Sequence, residues 1–227
     1  MKNILTLSIL AFQFAIAQPG NVTEKDATLA TGTDSTPFLR ASSKSMPKVK
    51  GTVYINEEWE QASVTTLTEN KVVRLLARFN AYSKEIEILK EKDFVALKPV
   101  DGISVLLHGK SFVPFKTNTS SKTIFAESMI EGKLSLFRVF DIKIVKAVSD
   151  ATLLNVENED RVTMIDKLYI RDTSGKITML PRKRKEVLSI FDGDTQAFIK
   201  KEKLSLKKDV DLISAINFYN TNNGKSQ

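Results

Sequence analysis

Between residues 72 and 97 the chain alternates. Val73, Leu75, Ala77 and Phe79 are interleaved with Arg74, Arg78 and Asn80, and Ile86 and Ile88 with Glu85 and Glu87. A period of two predicts half-buried strands. Residues 80–84 then form the hairpin loop, although they lack the Gly that the tightest turns use. The same stretch also carries a helical stripe. Leu75, Phe79, Tyr82, Ile86 and Leu89 recur at spacings of three and four. Periodicity alone does not separate the two readings. The neighbouring alternating runs at 103–107 and 133–145 favour strands, with 72–97 at the centre of a β-rich domain.

The rest of the domain is read the same way. Residues 64–67 are rich in β-branched residues and pair with the central hairpin. Thr52, Tyr54 and Asn56 alternate with Val53, Ile55 and Glu57, so either face of that run is open to burial. Trp59, the only Trp, is a core or rim anchor. A short strand at 94–97 is closed by Pro99. Turn signals at Gly109-Lys110, Glu131-Gly132 and Thr173-Ser174-Gly175 separate runs at 103–107, 111–115, 122–129, 133–145, 161–171 and 176–180. After Pro181 the period changes to that of helices. One is expected over 182–191 with Pro181 at its first position. A second is capped by Asp194 and turns Phe198 and Ile199 inward. A third runs through Val210, Leu212, Ile213, Ile216, Phe218 and Tyr219. Short helices do not hold themselves in water, so all three must pack on the sheet. The expected fold is α+β: an antiparallel meander, as a barrel-like sheet or a sandwich, followed by three short C-terminal helices.

The ends read differently. Residues 1–17 have the form of a signal peptide: Lys2, an apolar run over 4–15, and Ala15-Ile16-Ala17 as a small-x-small cleavage site. The run is shorter than the ~20 residues needed to span a bilayer, and no later stretch is long enough. Residues 18–50 are rich in Ser, Thr, Pro and Gly and read as a disordered linker, with Pro37-Phe38-Leu39 as a short docking element. One domain is expected over 51–220, its helices over 181–220, followed by a polar tail at 221–227.

Composition narrows the chemistry. The chain has no Cys, which excludes disulfides and thiolate metal sites. Its one His, His108, excludes catalytic triads and multi-His zinc sites, and reads as a polar residue flanking a turn. Glu85 with Glu87, and Glu58 with Glu60, are pairs at a spacing that carboxylate hydrolysis uses, but ion-paired, solvated strand faces explain them as well. Asp192-Gly193-Asp194 resembles the start of a calcium loop without its later ligands, so a helix break and cap explains it. No cofactor is implied. The charge is +7. Arg182, Lys183, Arg184 and Lys185 fall at an expected helix start, where the dipole disfavours cations, and Lys200 and Lys201 add to a basic C-terminal region. A local cost without an evident gain can mark function, so these six residues, with Lys203, Lys207 and Lys208 in the same basic region, are the candidate contacts for an anionic partner.

RFNAYSKEIEIL, IFAESMIEGKLSLFR and AFIKKEKLSLKKDVDLISAINFYNT together resemble a family of uncharacterised exported Bacteroidota proteins. Phe79 stands for that pattern's usual Tyr, Ser83-Lys84-Glu85 lacks its usual Asp, and Ile124-Phe125 has one aromatic for two. The resemblance spans about residues 72–220, implies export and a similar fold, and carries over no catalytic residue. The expectation is an exported non-enzymatic protein, periplasmic or extracellular, that binds a protein or an anionic glycan or lipid surface rather than nucleic acid. The alternative is a carboxylate-dependent envelope hydrolase.

Overall fold

The computed structural model describes residues 38–42, 49–66, 71–91, 93–147 and 159–223; the expected signal peptide and most of the expected linker lie outside them. Eleven strands come first: β1 (Leu39–Arg40), β2 (Glu60–Thr66), β3 (Lys71–Asn80), β4 (Glu85–Lys90), β5 (Asp93–Leu97), β6 (Ile103–Leu107), β7 (Lys110–Phe115), β8 (Ile124–Ile130), β9 (Ser135–Val145), β10 (Arg161–Arg171) and β11 (Ile177–Met179). Three helices follow, α1 (Arg184–Leu188), α2 (Gly193–Lys201) and α3 (Asp209–Asn223). Residues 72–97 form β3 to β5, so alternation outweighs the helical stripe. The buried residues Leu75, Ala77, Phe79, Ile86 and Ile88 all join one core.

All strands belong to one antiparallel sheet in the order β1-β5-β4-β3-β2-β6-β7-β8-β9-β10-β11. It consists of two meanders, β2 to β5 and β6 to β11, joined where β2 pairs with β6. Its outer strands β1 and β11 do not pair, so the sheet is not closed into a barrel. It is nevertheless strongly rolled. Neighbouring strands lie about 4.8 Å apart, so the five steps from β3 to β9 span roughly 24 Å in a flat sheet. Instead the rings of Phe79 on β3 and Phe140 on β9 meet at 5.8 Å, and both contact Phe112 on β7. Burial of these rings forces the curl.

Residues 49–56 strap the rolled sheet. Lys50 pairs with Arg161 at the start of β10, and Tyr54 with Asn80 at the end of β3. Backbone bonds from Val162 N to Lys50 O (2.9 Å) and from Ala81 N to Val53 O (2.8 Å) fix both ends. Val53 and Tyr54 are both buried, so this run is a bridge between distant strands rather than an alternating strand. The edge strand β1 comes from the stretch read as linker. Leu39 pairs with Leu97, and Phe38 and Leu39 pack on the core, as the docking reading of those residues expects.

The helices cover a second cluster on the sheet. Leu134, Leu136 and Ile170 meet Val187, Ile199, Leu212 and Ile216 there. Along β9 the even positions Leu136 and Phe140 face the cores, while Phe137 and Val139 turn to a third, smaller cluster with Phe115 and Tyr169. Helix boundaries depart from expectation in three places. α1 begins at Arg184, so Pro181, Arg182 and Lys183 precede it; Lys183 is the N-cap and makes no side-chain cap bond. α2 is capped by Asp192, whose carboxylate accepts from Thr195 N, and not by Asp194. α3 continues through the first residues of the expected tail, and its Val210 is 78% exposed rather than inward.

Candidate functional site

Asn80, Ser83, Glu85 and Glu87 of the first quoted motif are internal, whereas the lysines of the third are exposed. β4 is covered on both sides: Ile86 and Ile88 face the core, and Glu85 and Glu87 are each 1% exposed. Glu87 accepts from Arg78 Nε (2.9 Å) and from Asn80 Nδ2 (2.8 Å), and Glu85 is paired with Arg40 of β1. The Arg78 guanidinium also donates to the Tyr54 hydroxyl (2.7 Å) and lies over the rings of Tyr54 and Trp59, at 3.8 and 4.2 Å. Trp59 is thus a rim anchor. Burial, then the charge of Glu87, pushes the Tyr54 hydroxyl above its ordinary value, with Arg78 opposing. Breaking one partner out of a buried ion pair costs about 3–5 kcal/mol, which makes this layer structural. The reading of Glu85 and Glu87 as a solvated face is corrected: they are ion-paired but buried, Glu87 beneath Arg78, Tyr54 and Trp59, and Glu85 capped by the side chains of Arg40 and Ser42.

A second charged layer joins sheet to helices. Arg138 on β9 is held between Glu127 of β8 and Asp209 at the start of α3. Its Nε lies 3.0 Å from Asp166, close enough for attraction but out of line for a hydrogen bond. Asn220 of α3 behaves as a strand partner. Its amide accepts from Leu134 N (2.8 Å) and donates to Leu134 O (2.9 Å). Gly132 makes room for it, since a Cβ there would lie 2.3 Å from Asn220 Nδ2.

His108 occupies the two-residue turn between β6 and β7. Its φ is 52° and that of Gly109 is 69°, the pair of positive values a tight hairpin requires, so the turn is centred one residue earlier than Gly109-Lys110. Its Nδ1 meets Glu60 Oε2 on β2, a cross-strand anchor. Glu58, by contrast, lies exposed in a bend, so Glu58 and Glu60 do not share a strand face. Asp192-Gly193-Asp194 is the α2 cap. Among the described residues no three His, Asp or Glu side chains are grouped to hold a metal ion.

The basic residues remain at the surface. Arg182, Lys183, Arg184, Lys185, Lys200 and Lys201 are all exposed. The structure divides them. Arg182 and Arg184 line a concavity of about 110 Å³ together with Ser205 and Lys207, floored by Val187 and Leu206. Lys183 pairs with Glu186 at 3.3 Å, and Lys200 and Lys201 sit in the last turn of α2, where the dipole favours cations. Neither lysine lines the concavity. Arg184 Nη1 donates to Leu204 O (3.0 Å), which brings the start of α1 to the α2–α3 joint. The later helix start places only Arg184 and Lys185 in the first turn, so the conflict with the dipole is smaller than the sequence suggests. Lys207, part of the basic C-terminal region read from the sequence, reaches the concavity only through this fold-back.

No protein-family model, curated protein or solved structure matches the chain.

Proposed function

We propose that the chain is an exported, non-enzymatic binding module that presents its basic helical cap to an anionic partner at the cell envelope. The observation that carries this reading is the convergence of Arg182, Arg184 and Lys207 on one concavity beside Ser205. Three cations around a hydroxyl suit a phosphate or carboxylate group. Export rests on the signal-peptide pattern of residues 1–17. The sealing of Glu85 and Glu87 supports binding over a carboxylate-dependent hydrolase. The test is retention on the organism's own envelope fraction across a salt series. Arg182→Gln with Lys207→Gln should leave folding unchanged, because exposed substitutions usually stay within about ±0.5 kcal/mol. Retention should fall at low salt and converge with that of the wild type near 1 M, where the Debye length is about 3 Å. Equal retention at every salt concentration would sink the proposal.

A further inference from the structure

A larger cavity, of about 280 Å³, lies on the sheet face opposite the helices. Val139, Asp141, Lys167 and Tyr169 form its floor, and they alternate with the positions that face the helices and the main core. One wall is the β3–β4 hairpin tip, with Tyr82, Ser83 and Lys84. The other is the β7–β8 loop, with Lys122. This site is separate from the basic cap and does not depend on it.

Three observations point to a ligand. The first is Ser83, 2% exposed, whose Oγ has no hydrogen-bond partner among the described residues although it belongs to a cavity wall. Buried hydroxyls are normally satisfied, and an unpaired one in a native fold asks for a missing partner. The second is charge. Lys84 and Lys167 share the one carboxylate of Asp141, at 2.8 and 3.4 Å, and Lys122 has no ion partner among the described residues. The wall therefore keeps a surplus of cations. The third is the backbone. Lys84 has φ 59°, the left-handed turn that ends the hairpin tip and sets Lys84 against Asp141 in the cavity wall. The aromatic lining is positioned too: the Tyr169 ring packs on Phe115 with centroids 5.4 Å apart.

We propose that this cavity binds a sugar ring bearing a carboxylate. Tyr82 and Tyr169 offer apolar faces to ring C–H groups, Ser83 and Asp141 meet hydroxyls, and Lys122 with Lys84 meets the carboxylate. The volume lies just below the ~300 Å³ at which small-molecule pockets begin, so one ring fits rather than an oligosaccharide.

The test is titration of the full chain with glucuronic acid, followed by amide chemical shifts, with glucose and acetate as controls. Glucuronic acid should bind with a Kd on the order of 0.1–1 mM, moving amides of residues 82–84, 117–122 and 167–169. Lys122→Gln should weaken it about two- to fivefold, as expected for an exposed ion pair. Ser83→Ala should weaken it further. Arg182→Gln with Lys207→Gln should leave it unchanged, which separates this site from the basic cap. The proposal is overturned by an absence of shifts up to about 10 mM, or by shifts that lie elsewhere. Equal affinity for acetate removes the sugar from the assignment, and equal affinity for glucose removes the carboxylate; either overturns it. So does indifference to both cavity substitutions.

Discussion

Single side chains in this protein take their meaning from what covers them. Arg78 and Glu87 face each other across β3 and β4 on a face whose composition reads as solvated, yet Tyr54, Trp59 and the side chain of Arg40 cover it. Alternation says which side of a strand is polar; it does not say whether another segment lies on that side. This is why the burial of Glu85 and Glu87 was not legible, although their pairing to a Lys or Arg was. Asp141 shows the same dependence on distant partners. Its burial alone would raise its pKa, but hydrogen bonding and charge from Lys84, the Ile142 amide and Lys167 bring it below its ordinary value. A carboxylate depressed in the folded state adds stability above its unfolded pKa of about 3.9 and loses it as pH falls through the folded value. Urea unfolding from neutral pH downward should therefore show wild type more stable than Asp141→Asn at about pH 6. The difference should shrink once pH falls below the unfolded value of about 3.9 and vanish below the folded one. A gap that persists unchanged into acid would show that packing, not charge, is what the substitution removes.

The elements themselves were legible where their signals are local. β3 to β11 follow from alternation and turn residues, and Gly175 takes the positive φ its turn needs. β1 is only two residues long and pairs with a strand far along the chain, so no periodicity marks it. The α2 cap was misplaced by two residues because Asp192 and Asp194 are equally good cap residues, and only the bond to Thr195 N decides between them. The docking of α3 was hidden for a similar reason. Asn220 reads as a polar residue at the end of the expected domain, next to the polar tail, but its amide completes the turn between β8 and β9. Gly132→Ala should destabilise by about 1–3 kcal/mol, the usual cost of overpacking, because its Cβ meets the Asn220 amide. Asn220→Ala should cost a comparable amount through its two lost bonds. In the double variant the Gly132 penalty should largely disappear, a coupling that a double-mutant cycle read by equilibrium unfolding would reveal. Additive penalties would mean that Gly132 is needed for its backbone alone.

At the scale of the whole molecule, an open sheet is rolled by three phenylalanines, strapped by residues 49–56 and plated on one cluster by three helices. The sheet, its roll and its helical finish were legible, but the Phe79–Phe140 contact that holds the roll was not, because it joins strands five places apart in the sheet. The sites follow from it: the basic concavity needs the fold-back of Lys207 to Arg182, and the cavity of Ser83 needs three segments to meet. The polar residues of the first motif thus hold the fold together, while the exposed cations of the helical cap are left to meet a partner. Hydrogen-exchange footprinting of the full chain with and without solubilised envelope tests this division most directly. Peptides covering 182–185 and 205–208 should gain protection at low salt and lose it near 1 M, where screening is within about 3 Å. Those from β3 and β4 should exchange alike in both states. Protection that falls on β3 and β4, or none over the basic cap at low salt, would contradict the account.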